Sequence, residues 1–166
     1  MKIIYLERKG TRWSYYKDMV TFLGKYCDLK LCSDNFTSEI DEFQPDAIIV
    51  GFSFTSGNDR HRDINLNTSV PTFVILNKEY DRLDDKLQWI QQLRPKKFFT
   101  VHHDFLGFQK TTGITCERIM WSADHRVFRP YDREFRHDLV FSGVVRPKQT
   151  GNIHFPVNET RLSFCR

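Results

Sequence analysis

His102, His103 and Asp104 form the densest group of proton-transferring side chains in the sequence. An imidazole changes charge near neutral pH, and a carboxylate beside it can hold one tautomer. His103 with Asp104 as its orienter, and His102 as a substitute, therefore has the composition of a general base. The competing explanation is plain packing, with one histidine inside and the other in water. A second group, Asn77, Lys78, Glu79 and Tyr80, sets a cation, a carboxylate and a phenol just ahead of a helical pattern. Such a set suits hydrogen bonding to sugar hydroxyls or to a phosphate. It equally describes a helix start whose acidic residues sit near the positive end of the dipole.

Other chemistries fail on spacing. His61, His102, His103, Asp104 and His125 match no zinc pattern such as H-E-x-x-H, so no metal is expected. Ser53 follows Gly51 and Phe52, but residue 55 is Thr, which breaks the G-x-S-x-G elbow of a serine hydrolase. Lys9, Gly10 and Thr11 make a single-glycine loop rather than G-x-G-x-x-G, so no dinucleotide cofactor is expected. Cys27, Cys32, Cys116 and Cys165 include no C-x-x-C pair and read as reduced, mostly buried thiols.

These groups need a scaffold, and the apolar pattern supplies one. Lys2 to Leu6 reads as a buried first strand. Tyr16, Met19, Val20, Leu23 and Tyr26 then recur at helical spacing within Arg12 to Tyr26, while Lys17, Thr21 and Lys25 lie on the opposite side. Cys27 to Cys32 alternates as a half-exposed strand does. Thr37 or Ser38 caps a short helix through Ile40 and Phe43, which Pro45 stops. The unbroken apolar run from Ala47 to Phe52 predicts a strand covered on both faces. A long polar loop follows from Ser53 to Asn67. Pro71 to Leu76 is a fourth strand, and Leu83, Leu87, Ile90 and Leu93 form a helical stripe within Asp81 to Leu93, ended by Pro95. Lys97 to Val101 is a fifth strand and Cys116 to Trp121 a sixth.

Strands strung between helices predict an α/β fold: a doubly wound, mainly parallel Rossmann-like open sheet with helices on both faces. Ligands of such sheets collect beyond the carboxyl ends of the strands, which is where the histidine loop and the Lys78 loop both fall. The chain has 166 residues, 40% of them hydrophobic and fifteen of them Phe, enough apolar surface to fold. Its 25 basic residues are interleaved with 21 acidic ones, and no basic run resembles a nucleic-acid arm, so no nucleic-acid partner is expected. No apolar stretch approaches a membrane span and no signal peptide precedes the first strand, which predicts a cytoplasmic protein in which the sequons at Asn35, Asn67 and Asn158 go unused.

The succession P-T-F-V-I-L-N-K-E-Y at 71–80, K-F-F-T-V-H-H-D at 97–104, S-A-D-H-R-V-F-R-P at 122–130 and D-L-V-F-S-G at 138–143 resembles glycosyltransferases of the GT-B fold. Within them it is most similar to the family-1-like group related to the spore maturation protein CgeB. In that group a Lys-Glu or similar pair follows a strand, and an A-D-x-x-x-F phrase, here Ala123, Asp124 and Phe128, closes the first domain. The resemblance covers about residues 45–145. It implies an acceptor-side domain over 1–130, then a linker and the truncated beginning of a donor-binding domain over 131–166, since Val144 to Arg166 is too short to supply the rest.

The resemblance further implies transfer of a sugar from a nucleotide-sugar donor, bound through a missing C-terminal half, to a hydroxyl of a sugar or glycan acceptor. It implies no obligatory cofactor and no activity of this half alone. His103 would be the base, Asp104 its orienter and His102 the understudy. Gly10, Thr11, Ser53, Lys78, Glu79, Tyr80 and Asp124 would line the acceptor cleft. Two other readings fit the same residues. One is a self-contained flavodoxin-like domain that binds a nucleotide or anionic ligand without catalysis; the other is an interaction module docking through aromatics such as Phe105 and Phe108.

Overall fold

The computed structural model describes residues 1–7, 20–33, 36–55, 64–79 and 81–120. Met1–Ser122 makes one compact unit; the predicted boundary at 130 and the predicted second domain lie outside the described residues.

Six strands form one parallel sheet. They are β1 (Lys2–Leu6), β2 (Asp28–Cys32), β3 (Ala47–Val50), β4 (Thr72–Ile75), β5 (Lys97–Thr100) and β6 (Cys116–Arg118), in the spatial order β2-β1-β3-β4-β5-β6. The helical segments are α1, described at residues 20–23, α2 (Phe36–Phe43), the single turn α3 (Phe52–Thr55), α4 (Leu83–Leu93) and α5 (Phe105–Thr112). The α/β open-sheet expectation therefore holds.

The apolar runs explain the order. β1, β3 and β4 sit inside the sheet, where both faces are covered, and the side chains of Ile4, Leu6, Ile48, Val50, Val74 and Leu76 are wholly buried. Each such burial contributes roughly 1.5–3 kcal/mol. Pleating sends these residues to the face packed by α2, α4 and α5, together with Phe98, Ile90, Trp89 and Phe108. Tyr5, Ile49 and Ile75 point to the opposite face, where Val20 and Leu23 of α1 meet them. β2, at an edge, keeps Leu31 exposed.

Several boundaries shift from the sequence pattern. β4 is Thr72–Ile75, shorter than 71–76; β6 ends at Arg118 rather than Trp121; and β3 ends at Val50, because the chain turns into α3. Gly51 sits against the Tyr5 ring, where a Cβ would fall 2.5 Å from Cε1, and this close approach of β3 to β1 ends the strand. α4 starts at Leu83 rather than Asp81, since Arg82 is left-handed with φ 53. Its far end is closed by Arg94, left-handed at φ 50, whose N–H donates to the Ile90 carbonyl, and Pro95 prevents continuation.

α5 is absent from the sequence expectation. Its segment F-L-G-F-Q-K-T-T holds a glycine and two threonines, weak helix formers, and it is fixed by its ends. Asp104 accepts from the Gly107 N–H at the start, and Gly113 takes the left-handed closing position at φ 72.

In the order 2-1-3-4-5-6 the winding reverses between β1 and β3, which makes the crevice beyond Leu6 and Val50 the switch point of the sheet. The histidine loop and the Lys78 loop lie at the neighbouring pair, β5 and β4.

Candidate functional site

The register Val74 to Phe98 and Ile75 to Phe99 sets the carboxyl ends of β4 and β5 level, so the loops leaving them emerge side by side. A short chain of hydrogen bonds then ties the two loops together. The His102 N–H donates to Thr100 Oγ1 at 3.1 Å, and the Thr100 hydroxyl donates to Glu79 Oε1. Because the hydroxyl already accepts from His102, its proton is directed at the carboxylate. Thr100 is wholly buried and Glu79 is 7% exposed.

Asn77 and Lys78 are held from below by α4. Lys86 is wholly buried, and its ammonium donates to the Asn77 carbonyl at 3.0 Å and the Lys78 carbonyl at 2.9 Å. Burial lowers its pKa from the ordinary 10.5, against a smaller upward push from Asp81 and then Glu79. Lys78 and Arg82 both take positive φ, at 51 and 53, an arrangement that costs non-glycine residues of order 1 kcal/mol each. The Lys86 clamp and the Asn77 Oδ1, which accepts from the Lys78 N–H at 2.9 Å, hold the loop in that shape.

Across the rim, the His102 ring stacks on His103 at 4.3 Å and on Phe108 at 5.1 Å between centroids. Its Nδ1 accepts from the Asp104 N–H at 3.1 Å, which puts the ring proton on Nε2. His103 is exposed, with no hydrogen-bond partner among the described residues. Asp104 does not orient His103, contrary to the sequence expectation. Its carboxylate caps α5 through Gly107, whose missing Cβ leaves the room; a Cβ there would fall 2.5 Å from Oδ2. The pairing fails because the first turn of α5 offers unsatisfied N–H groups, and the carboxylate turns to them.

The structure thus brings together His102, His103, Asp104, Lys78 and Glu79. Ser53 falls in α3, which follows β3 next to β4 and whose Thr55 hydroxyl donates to the Ile75 carbonyl at 2.7 Å; the Ser53 side chain is outside the described set. Gly10, Thr11, Tyr80 and Asp124 lie outside the described residues. Thr100 and Lys86 complete the rim without having been expected. Lys86 had a signal, a lysine interrupting the apolar side of α4 between Leu83, Leu87 and Ile90; Thr100 had none beyond being the last residue of a strand.

No family model matches the chain, and neither does any curated protein or solved structure.

Charge decides what the rim can hold. The first turn of α4 carries Asp84 and Asp85, and Asp85 pairs with Arg82 at 2.5 Å. The start of α5 is capped by Asp104. Both helix starts of this rim therefore carry carboxylates of their own. Lys86 is committed to carbonyls, which leaves Lys78 as the rim cation without an ion-pair partner among the described residues. Behind the rim, Cys116 is buried and its thiol is pushed up to about 12, by burial first and then by Glu79 and Glu117, so it is no nucleophile.

A groove of about 530 Å³ runs beside α4, bounded by residues including Ile64, Leu66, Gln88 and Trp89. None of the candidate residues lines it, and the Trp89 indole N–H next to it already donates to the Ile64 carbonyl. Among the described residues no group of His, Cys, Asp and Glu could hold a metal ion, and no helix is long and apolar enough to cross a membrane.

Proposed function

We propose that this chain is the acceptor-side half of a cytoplasmic GT-B sugar transferase, receiving a glycan or sugar whose hydroxyl is glycosylated from a nucleotide-sugar donor. The observation carrying the proposal is the character of the β4–β5 rim. Its helix starts are occupied by the carboxylates of Asp84, Asp85 and Asp104, a surface that accepts hydrogens from hydroxyl groups and disfavours a diphosphate. An acceptor half has that requirement, because the departing diphosphate is stabilised by cations and a helix terminus on the other half. His103, exposed and without a hydrogen-bond partner among the described residues, is free to take the acceptor proton. His102 cannot do so through Nδ1, which already accepts from Asp104 N–H.

Amide chemical shifts test this directly. A panel of methyl glycosides should perturb residues 77–79 and 100–104, and a nucleoside diphosphate should leave them unmoved. Strong diphosphate shifts at those residues, with none from any glycoside, would refute it.

The strand order favours a second reading. The arrangement 2-1-3-4-5 is that of flavodoxin-like domains, which bind at the β1–β3 switch point. A self-contained nucleotide- or anion-binding domain would use that crevice, and its ligand would shift Glu7 and Gly51 instead.

A further inference from the structure

The groove beside α4, at about 530 Å³, falls within the roughly 300–1,000 Å³ range of small-ligand sites, and the rim chemistry leaves it unused. Asp85, Gln88, Trp89, Gln92 and Leu93 line it, recurring every three to four residues along one face of the helix, from its first turn to its last. The facing wall is the segment 64–66. Both walls are fixed in advance. The Trp89 indole N–H donates to the Ile64 carbonyl at 3.2 Å, a buried bond that ties the segment to the helix. Ile64 and Trp89 belong to the core, and Leu66 and Leu93 pack against it. A site with walls already ordered loses little entropy when it is filled.

The polar groups of the lining are neutral and uncommitted. The side-chain amides of Asn65, Gln88 and Gln92 make no hydrogen bond among the described residues. Gln91, off the groove, instead donates to the Thr111 carbonyl at 2.8 Å. α4 carries no charge from Leu87 to Leu93, in a chain that is 28% charged, whereas a helix face that meets only water commonly carries Lys and Glu. Among the described residues Asp85 is the charged member of the lining, and Arg82 pairs with it at 2.5 Å. Side-chain amides offer donors and an acceptor together, the same two functions that a sugar hydroxyl presents. They lack the charge that holds a phosphate or a carboxylate. Gln88 and Gln92 stand about 6 Å apart along the helix axis, close to the length of one sugar residue in a chain.

We propose that this groove binds the internal residues of a neutral oligosaccharide, so that the acceptor is a glycan chain rather than a single sugar. The inference rests on the acceptor-half proposal, in which the rim takes the hydroxyl to be glycosylated. α4 joins the two places, since its first turn belongs to the rim and its later turns to the groove. No strand lines the groove, so a peptide would find no sheet edge to extend.

The experiment compares the chain with a variant carrying both Gln88→Ala and Gln92→Ala, and with Gln91→Ala as the control on the same helix. Cellotriose, maltotriose, laminaritriose, triacetylchitotriose, trigalacturonate and acetyl-trialanine amide are titrated in. Binding is followed by the side-chain amide signals of Asn65, Gln88 and Gln92 and by the backbone amides of residues 77–79 and 100–104. A neutral trisaccharide should move the groove signals. The double variant should bind it at least about tenfold more weakly, as loss of two hydrogen bonds predicts, at an unchanged melting temperature, and Gln91→Ala should bind as the parent does. Rim amides that move while the groove signals stay silent overturn the groove and leave the acceptor half standing. Groove signals that move while the rim stays silent uphold the glycan site and refute the rim. Silence of both with every trisaccharide overturns both. The inference also falls if trigalacturonate or the peptide binds the groove as tightly as the neutral sugar, if the double variant binds like the parent, or if Gln91→Ala loses as much.

Discussion

Replacing Lys86 by methionine tests the clamp beneath the rim. The substitution keeps the length and apolar stem of the side chain and removes the ammonium that bonds Asn77 O at 3.0 Å and Lys78 O at 2.9 Å. The Asn77 carbonyl bond is buried, and losing its partner costs about 2 kcal/mol; the Lys78 bond is part-buried, so water replaces some of it and the loss is about 1 kcal/mol. Relief from holding an ammonium out of water returns about 1 kcal/mol. The net loss is about 2 kcal/mol, or roughly 8 °C in melting temperature for a unit of this size. Lys86→Ala should lose about 3 kcal/mol more, because the methylene groups of the stem go too.

The pH dependence carries the sharper sign. Burial lowers the Lys86 pKa in the folded chain from 10.5, so between that lowered value and 10.5 the unfolded chain binds the extra proton. The parent therefore gains stability as pH rises through this window, at up to about 1.4 kcal/mol per pH unit, and Lys86→Met does not. Urea unfolding of both proteins at steps from pH 7 to 10.5 should give a stability difference that widens with pH, since the neutral amine still donates to both carbonyls. Parallel profiles, or a Lys86→Met variant as stable as the parent at pH 7, would refute the clamp.

Gly51→Ala should destabilise by about 2 kcal/mol, because its Cβ would meet the buried Tyr5 ring at 2.5 Å; thermal melting measures it. Asp104→Ala should cost about 1 kcal/mol through loss of the α5 cap, and Asp104→Asn should restore most of it because an amide oxygen can also cap. Wholesale loss of stability in both would contradict the capping role. Cys116, with its thiol pushed up to about 12, should resist iodoacetamide at pH 8 until the chain unfolds, whereas the half-buried Cys27 should react before Cys32 and Cys116, as peptide mass mapping would show.

The sheet was legible in the sequence because a parallel strand covered on both faces has to be apolar at successive positions. I-I-Y-L of β1, A-I-I-V of β3 and F-V-I of β4 have no other stable use at that length. α4 was legible through its stripe and Pro95. α3 and α5 were not, since a single turn shows no period and the glycine and threonines of α5 erase its propensity. The pair Asp104 and Gly113, a cap and a left-handed stop, was the available signal for α5.

The site was legible as a place more than as a mechanism. Parallel packing puts the loops after β4 and β5 together, and both were singled out by their titratable residues. What each side chain does there depends on competition the sequence does not display. Asp104 stands next to His103 in the chain and could have oriented it, but the unsatisfied N–H groups of α5 are nearer and claim the carboxylate. Glu79 and Thr100 are 21 positions apart and become partners because the β4–β5 register levels Ile75 with Phe99. The carboxylate in the Lys78 loop is thus shielded from water, while the histidine beside Asp104 stands in it. Burial makes a single hydrogen bond to Glu79 worth far more than the same bond to an exposed group.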